Sequence, residues 1–258
     1  MPHCPHCGNE MLEFAKFCPA CGHSATQPPP VPEPSGGRTS APLPLGEYLK
    51  TGWRLFLNYP GGFIGFFLIY LVIQIVLHFI PWLGRVASFV IGPALLMGNF
   101  IVCAKLIQGR TPQFSDFFLG FRFFVPLLLT ALVGGVLTGI GFLLLIIPGV
   151  YLLVCYLFAA SLVVDRRLDF WPALELSRRT VNPIWFGMFA FLLLLMLLNL
   201  AGAVALGIGL LVTVPLTCCT VTAAYADIFG LQSDYSESFP DNVASVAAPP
   251  EGNNRPEI

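Results

Sequence analysis

Four cysteines in the first 25 residues fall in two short pairs, Cys4-Pro5-His6-Cys7-Gly8 and, after a ten-residue spacer, Cys18-Pro19-Ala20-Cys21-Gly22. A two-residue gap lets both thiolates of a pair reach one ion from a tight turn. The glycine after each pair lets the backbone curl back so that amides approach the sulfurs. Cys4, Cys7, Cys18 and Cys21 together close a tetrahedral shell around one Zn2+ and leave no position open for water, so the ion is structural. A segment this short has almost no core, and metal binding worth about 10–16 kcal/mol in comparable peptides would fold it. Two disulfides are the rival pairing, disfavoured in a reducing compartment. His3, His6 and His23 flank the thiols, but four cysteines suffice without them.

The remaining chemistry has to be sought in an apolar body. Of 258 residues, 56% are hydrophobic and 10% charged, against about 25% charged in a soluble domain. With a mean hydropathy of +0.77, the excess apolar mass must face lipid. Lys and Arg number 13 against 14 Asp and Glu. Residues 1–25 hold one Lys and no Arg, so no nucleic-acid partner is expected. The chain divides into the cysteine module (1–25), a Pro-rich disordered linker (26–44), the hydrophobic body (45–230) and a polar C-terminal tail (231–258) expected to be disordered. No basic segment followed by a short apolar stretch opens the chain, so no cleavable signal is expected and the first span serves as the membrane address.

The body contains uncharged runs at Leu55–Gly84, Val86–Ala104, Phe123–Val164 and Thr180–Ala226. One crossing takes about 20 residues, so the first two runs fit one helix each and the last two fit two each. Gly139, Gly141 and Pro148 interrupt one long run; Gly207, Gly209 and Pro215 interrupt the other. The predicted fold is an all-α polytopic membrane protein with six transmembrane helices in three hairpins, over approximately 62–83, 86–105, 124–143, 146–165, 184–204 and 208–229. A four-span layout would need helices far longer than the bilayer is thick. Six crossings put both termini on one side with twelve of the 13 basic residues, Arg85 being the exception. The positive-inside bias makes that side cytoplasmic, and the address is the inner membrane.

The entries to the hairpins look alike. Gly52-Trp53-Arg54 leads to Pro60, Gly120-Phe121-Arg122 to Pro126, and Ser177-Arg178-Arg179 to Pro183; each second span carries an early proline, Pro93, Pro148 or Pro215. This is a threefold parallel repeat of an interfacial segment plus two spans. Phe114, Phe117, Phe118 and Phe121 recur at helical spacing, with Asp116 and Arg122 off that face. Such a helix is expected in the headgroup layer, rings down and charges outward. Leu168–Thr180 has a similar pattern.

Residues 1–25 resemble the short zinc-ribbon domain at the N-terminus of many bacterial and archaeal proteins, with all four ligand cysteines present. The body, from Ile147-Pro148-Gly149-Val150-Tyr151 through Val164-Asp165-Arg166 and Ala173-Leu174-Glu175-Leu176-Ser177, resembles a broad group of prokaryotic multi-pass membrane proteins. That resemblance implies location and architecture and brings no catalytic residues.

Within the spans, Gln74, His78 and Asn99 form the possible intramembrane polar site; interhelical hydrogen bonding is the plainer reading. Asn199 is the other strongly polar residue at depth. No carboxylate falls inside the apolar runs, against a coupled transporter. Hydrolase, metalloprotease and P-loop motifs are absent, so no enzyme is expected. Gly61-x3-Gly65 and Gly135-x3-Gly139 are expected to pack helices closely. Cys103, Cys155, Cys218 and Cys219 are expected to be small packing residues, and Asp165, Arg166, Arg167 and Asp169 a solvated turn. The primary expectation is a non-enzymatic membrane protein whose zinc ribbon captures a protein partner. A transporter or lipid-handling protein is the alternative.

Overall fold

The computed structural model describes residues 43–80, 82–204 and 209–233. The ribbon, all of the linker except Leu43 and Pro44, Gly207, and the tail beyond Ser233 lie outside the described residues. Within them the chain is helical, and no strand is found.

Three units follow one another. The first is α1 (Leu45–Asn58), α2 (Pro60–His78) and α3 (Leu83–Ile107). The second is a 3-10 helix (Phe114–Phe123), α4 (Phe124–Leu144), α5 (Ile146–Cys155) and α6 (Ala159–Arg166). The third is α7 (Phe170–Val181), a short 3-10 turn (Asn182–Ile184), α8 (Trp185–Val204) and α9 (Leu210–Phe229). The expected pattern of entry segment, span and span therefore recurs, and six helical stretches are long and apolar enough to cross a membrane.

Proline marks two of the helix starts, Pro60 as the first residue of α2 and Pro183 in the first turn of the 3-10 helix Asn182–Ile184, where a missing N–H costs nothing. Pro93 and Pro215 lie inside α3 and α9, where each removes a hydrogen bond from the helical ladder. The turn between α4 and α5 is made by one extended residue, Leu145. It is so tight because Gly141 lies against Gly149, where a Cβ would stand 3.0 Å from the Gly149 Cα.

The units close into a ring. The 3-10 helix of the second unit packs on α3 of the first, α7 of the third on α6 of the second, and α1 of the first on α9 of the third. At each closure the small residue of the entry motif touches the preceding second span. A Cβ on Gly52 would overlap Thr220, and one on Gly120 would overlap the Ala94 carbonyl. Ser177 donates its hydroxyl to the Cys155 carbonyl over 2.6 Å.

That last bond explains a departure from the expected single helix over 146–165. The Ala159 amide bonds Tyr156 rather than Cys155, the span breaks between α5 and α6, and Ser177 takes the released carbonyl.

Second spans form the inside of the ring. Buried residues make up 44%, 44% and 50% of the apolar stretch in the second spans, against 17%, 22% and 17% in the first. Phe100 from α3, Phe158 from the α5–α6 break, and Tyr225 and Phe229 from α9 meet at the centre, Phe100 edge-on to Tyr225 at 5.2 Å. The outer faces of α2, α4 and α8 expose Val72, Val136 and Leu197, as lipid contact requires.

The second entry segment differs from expectation. It is 3-10 rather than α-helical, and its Phe117 is fully buried, stacked on Phe66 at 4.5 Å. Asp116 points inward as well, so the helix packs against α3 and α2, with Phe114, Ser115, Phe118, Phe121 and Arg122 left exposed. A 3-10 helix places residues three apart on one edge. That suits Phe114 and Phe117, whose ring centroids lie 5.7 Å apart.

Candidate functional site

Cys4, Cys7, Cys18 and Cys21 fall among residues 1–42, outside the described residues, so their fit to metal rests on the donor set. Four soft thiols in two CxxC pairs are a complete ligand shell for zinc. No cluster of three or more metal-ligating side chains occurs among the described residues.

The three intramembrane polar residues do not form one cluster. Gln74 and His78 line a common groove with Arg85 and Ser88, about 440 Å³ in volume, at the tip of the first hairpin. Ser88 donates to Gln74 Oε1 over 2.8 Å, and Gln74 Nε2 donates to Tyr70 Oη over 2.9 Å. Asn99 is buried in a separate small cavity beside Pro215 and Cys218, reached by Tyr70 but not by Gln74 or His78. Its amide donates to the Leu95 carbonyl at 3.4 Å. Asn199 ties α8 to α9 through Thr217 Oγ1 at 2.8 Å.

At the opposite end, polar ties join the units, and the sequence reading passed over them. Asp165 is buried, not part of a solvated turn. It accepts from the Tyr225 hydroxyl at 2.9 Å and from the backbone amides of Gln232 and Ser233. Arg166 donates to the Phe229 carbonyl over 2.8 Å. The donors on Tyr225, Gln232 and Ser233, all from beyond the second unit, compensate the desolvated carboxylate. Asp116 pairs with Lys105 at 2.8 Å and accepts the Gln113 amide at 2.7 Å. In the equivalent place on the first entry helix, Tyr48 donates to Asp227 over 2.7 Å. Glu175, on α7 outside the span, is clamped by Arg178 and Arg179 at 2.9 and 2.7 Å. Hydrogen bonds from these guanidiniums hold its carboxyl down at about 2.

The span cysteines and glycines also separate. Cys103 of α3 and Cys219 of α9 are buried with their sulfurs 3.1 Å apart, a thiol contact on the seam where first and third units meet. Gly135 and Gly139, expected to pack a helix, face open space, with nothing within 4 Å of a Cβ built there. They line a groove of about 510 Å³ between α4 and the α5–α6 span.

Residues 3–24 match the zinc-ribbon domain family. No curated protein and no solved structure matches the chain. The protein is thus a multi-pass membrane protein carrying an N-terminal zinc ribbon.

Proposed function

We propose that this is a non-enzymatic inner-membrane protein whose body holds one structural Zn2+ ribbon at the cytoplasmic face, where the ribbon captures a protein partner. The observation that supports the reading is the segregation of charge. Lys50, Arg54, Lys105, Arg110, Arg122, Arg166, Arg167, Arg178 and Arg179 all belong to the entry segments or the adjoining ends of spans, while Arg85 alone sits at a hairpin tip. The described chain also begins and ends there. Leu43 packs at Gly187, near the start of α8, and the Ser233 carbonyl accepts from Gln108 at the end of α3. Positive charge retained at one face makes that face cytoplasmic, and the ribbon, joined through a Pro-rich linker reaching up to about 3.1 Å per residue, searches the space beneath it.

Replacing Cys4 and Cys7 with Ser tests this. Zinc and partner capture should be lost while membrane insertion persists, and undiminished capture would end the interaction role. A second reading, lipid handling, draws on the grooves that the body leaves open at the first hairpin tip and beside α4.

A further inference from the structure

We propose that the tip of the first hairpin binds a phosphate-bearing amphiphile, with Arg85 and His78 taking the phosphate and Leu71, Ile75 and Phe79 the chain. This gives the lipid-handling reading its ligand class and rests on the six-span body alone, so its failure leaves the ribbon reading untouched.

Two grooves meet here. The polar one, about 440 Å³, is lined by Gln74, His78, Arg85 and Ser88. The apolar one, about 350 Å³, runs along Leu71, Ile75 and Phe79 and shares Gln74 and His78 with the first. A half-polar groove running into an apolar one suits an amphiphile better than a free ion.

Charge selects the headgroup. Every carboxylate of residues 43–233 lies at the entry end of the molecule: Glu47, Asp116, Asp165, Asp169, Glu175 and Asp227. The Arg85 guanidinium and the His78 ring have no ion-pair or hydrogen-bond partner among the described residues. An unpaired guanidinium at a membrane surface calls for an anion, and its planar fork matches phosphate oxygens.

The supporting contacts are already made. Ser88 and Tyr70 hold the Gln74 amide between them at 2.8 and 2.9 Å, which fixes the groove wall before any ligand arrives. Gly84 brings the start of α3 against the Leu77 carbonyl, where any Cβ would overlap, and so brings Arg85 to the groove that His78 also lines. Phe79 and Trp82, 79% and 80% exposed, flank the site as interfacial aromatics do.

The test is native mass spectrometry of the detergent-purified full chain, titrated with dioleoyl phosphatidylglycerol, with inorganic phosphate as competitor. The wild type should retain one lipid. Arg85→Gln and His78→Gln should each weaken retention about tenfold, the loss of one charge-assisted hydrogen bond. Lys50→Gln, an exposed cation at the opposite end, should change it less than about twofold. Displacement by millimolar phosphate would assign the site to the phosphate group itself, and persistence of the lipid would assign it to the whole amphiphile. Either supports the chemistry. Equal retention by wild type and the Arg85→Gln/His78→Gln double variant overturns it, as does a loss with Lys50→Gln matching that with Arg85→Gln.

Discussion

Tyr225 donates its phenolic proton to Asp165 over 2.9 Å, joining α9 to the end of α6 across 60 residues of sequence. The phenol is fully buried, stacked on Phe229 at 5.1 Å and edge-on to Phe100. It therefore links the aromatic centre of the ring to the carboxylate that receives the chain as it leaves α9. Asp165→Ala should leave the Tyr225 hydroxyl and the Gln232 and Ser233 amides short of an acceptor. The expected loss is about 2–4 kcal/mol, read as a lower thermal unfolding midpoint in detergent. Tyr225→Phe removes only the donor and should cost about 1 kcal/mol.

Ring closure predicts a contrast between glycines. Gly98→Ala drives a methyl into the Phe117 carbonyl, and Gly52→Ala drives one into Thr220. Each should destabilise by about 1–3 kcal/mol or more, since a backbone must shift. Gly135→Ala meets nothing within 4 Å and should be neutral or slightly stabilising through helix propensity. Thermal melts of the three variants in one detergent compare them directly.

The thiol contact across the closing seam is a proximity marker. Copper-phenanthroline treatment of a variant retaining only Cys103 and Cys219 should produce an intramolecular disulfide, seen as faster migration without reductant. Changing Cys219 to Ser should abolish it. Failure to cross-link under conditions that oxidise an exposed control pair would place α3 and α9 apart.

Glu175 gives the entry helix a pH dependence. Its carboxyl sits at about 2 in the folded chain against an ordinary 4.5. The folded value is the lower one, so the stabilisation is fully present above about 4.5 and fades as pH falls toward 2. Arg179 is largely exposed and screened, so the effect is small, about 0.5 kcal/mol. Glu175→Gln should flatten that part of the stability–pH profile, and an unchanged slope between pH 5 and 3 would remove the pair from the account.

The span pattern was legible because lipid imposes a simple rule: uncharged runs of one crossing length, punctuated by Pro60, Pro148 and the glycines beside them. The entry motif was legible as well, since Gly52, Gly120 and Ser177 recur at matching places before a proline. What each small residue touches was not. Ser177 meets Cys155 and Gly52 meets Thr220 only because the units close on one another, a relation no local spacing encodes. Asp165 read as a loop residue because it follows a span and precedes Arg166 and Arg167; its partners come from Tyr225 and beyond. Asp116 read as outward because an α-helix was assumed, and the 3-10 winding turns it toward Lys105. Gln74 and His78 share one groove, as residues one turn apart on a helix do, whereas Asn99 lies on another helix and in another cavity.

The proposed topology has an even number of crossings, with the ribbon and the carboxyl end together in the cytoplasm. Paired topology reporters test it most directly: a cytoplasm-fluorescent protein and an export-dependent phosphatase, each fused in turn to either end of the full chain. The account predicts fluorescence and no phosphatase activity at both ends. An active phosphatase at either end would contradict it.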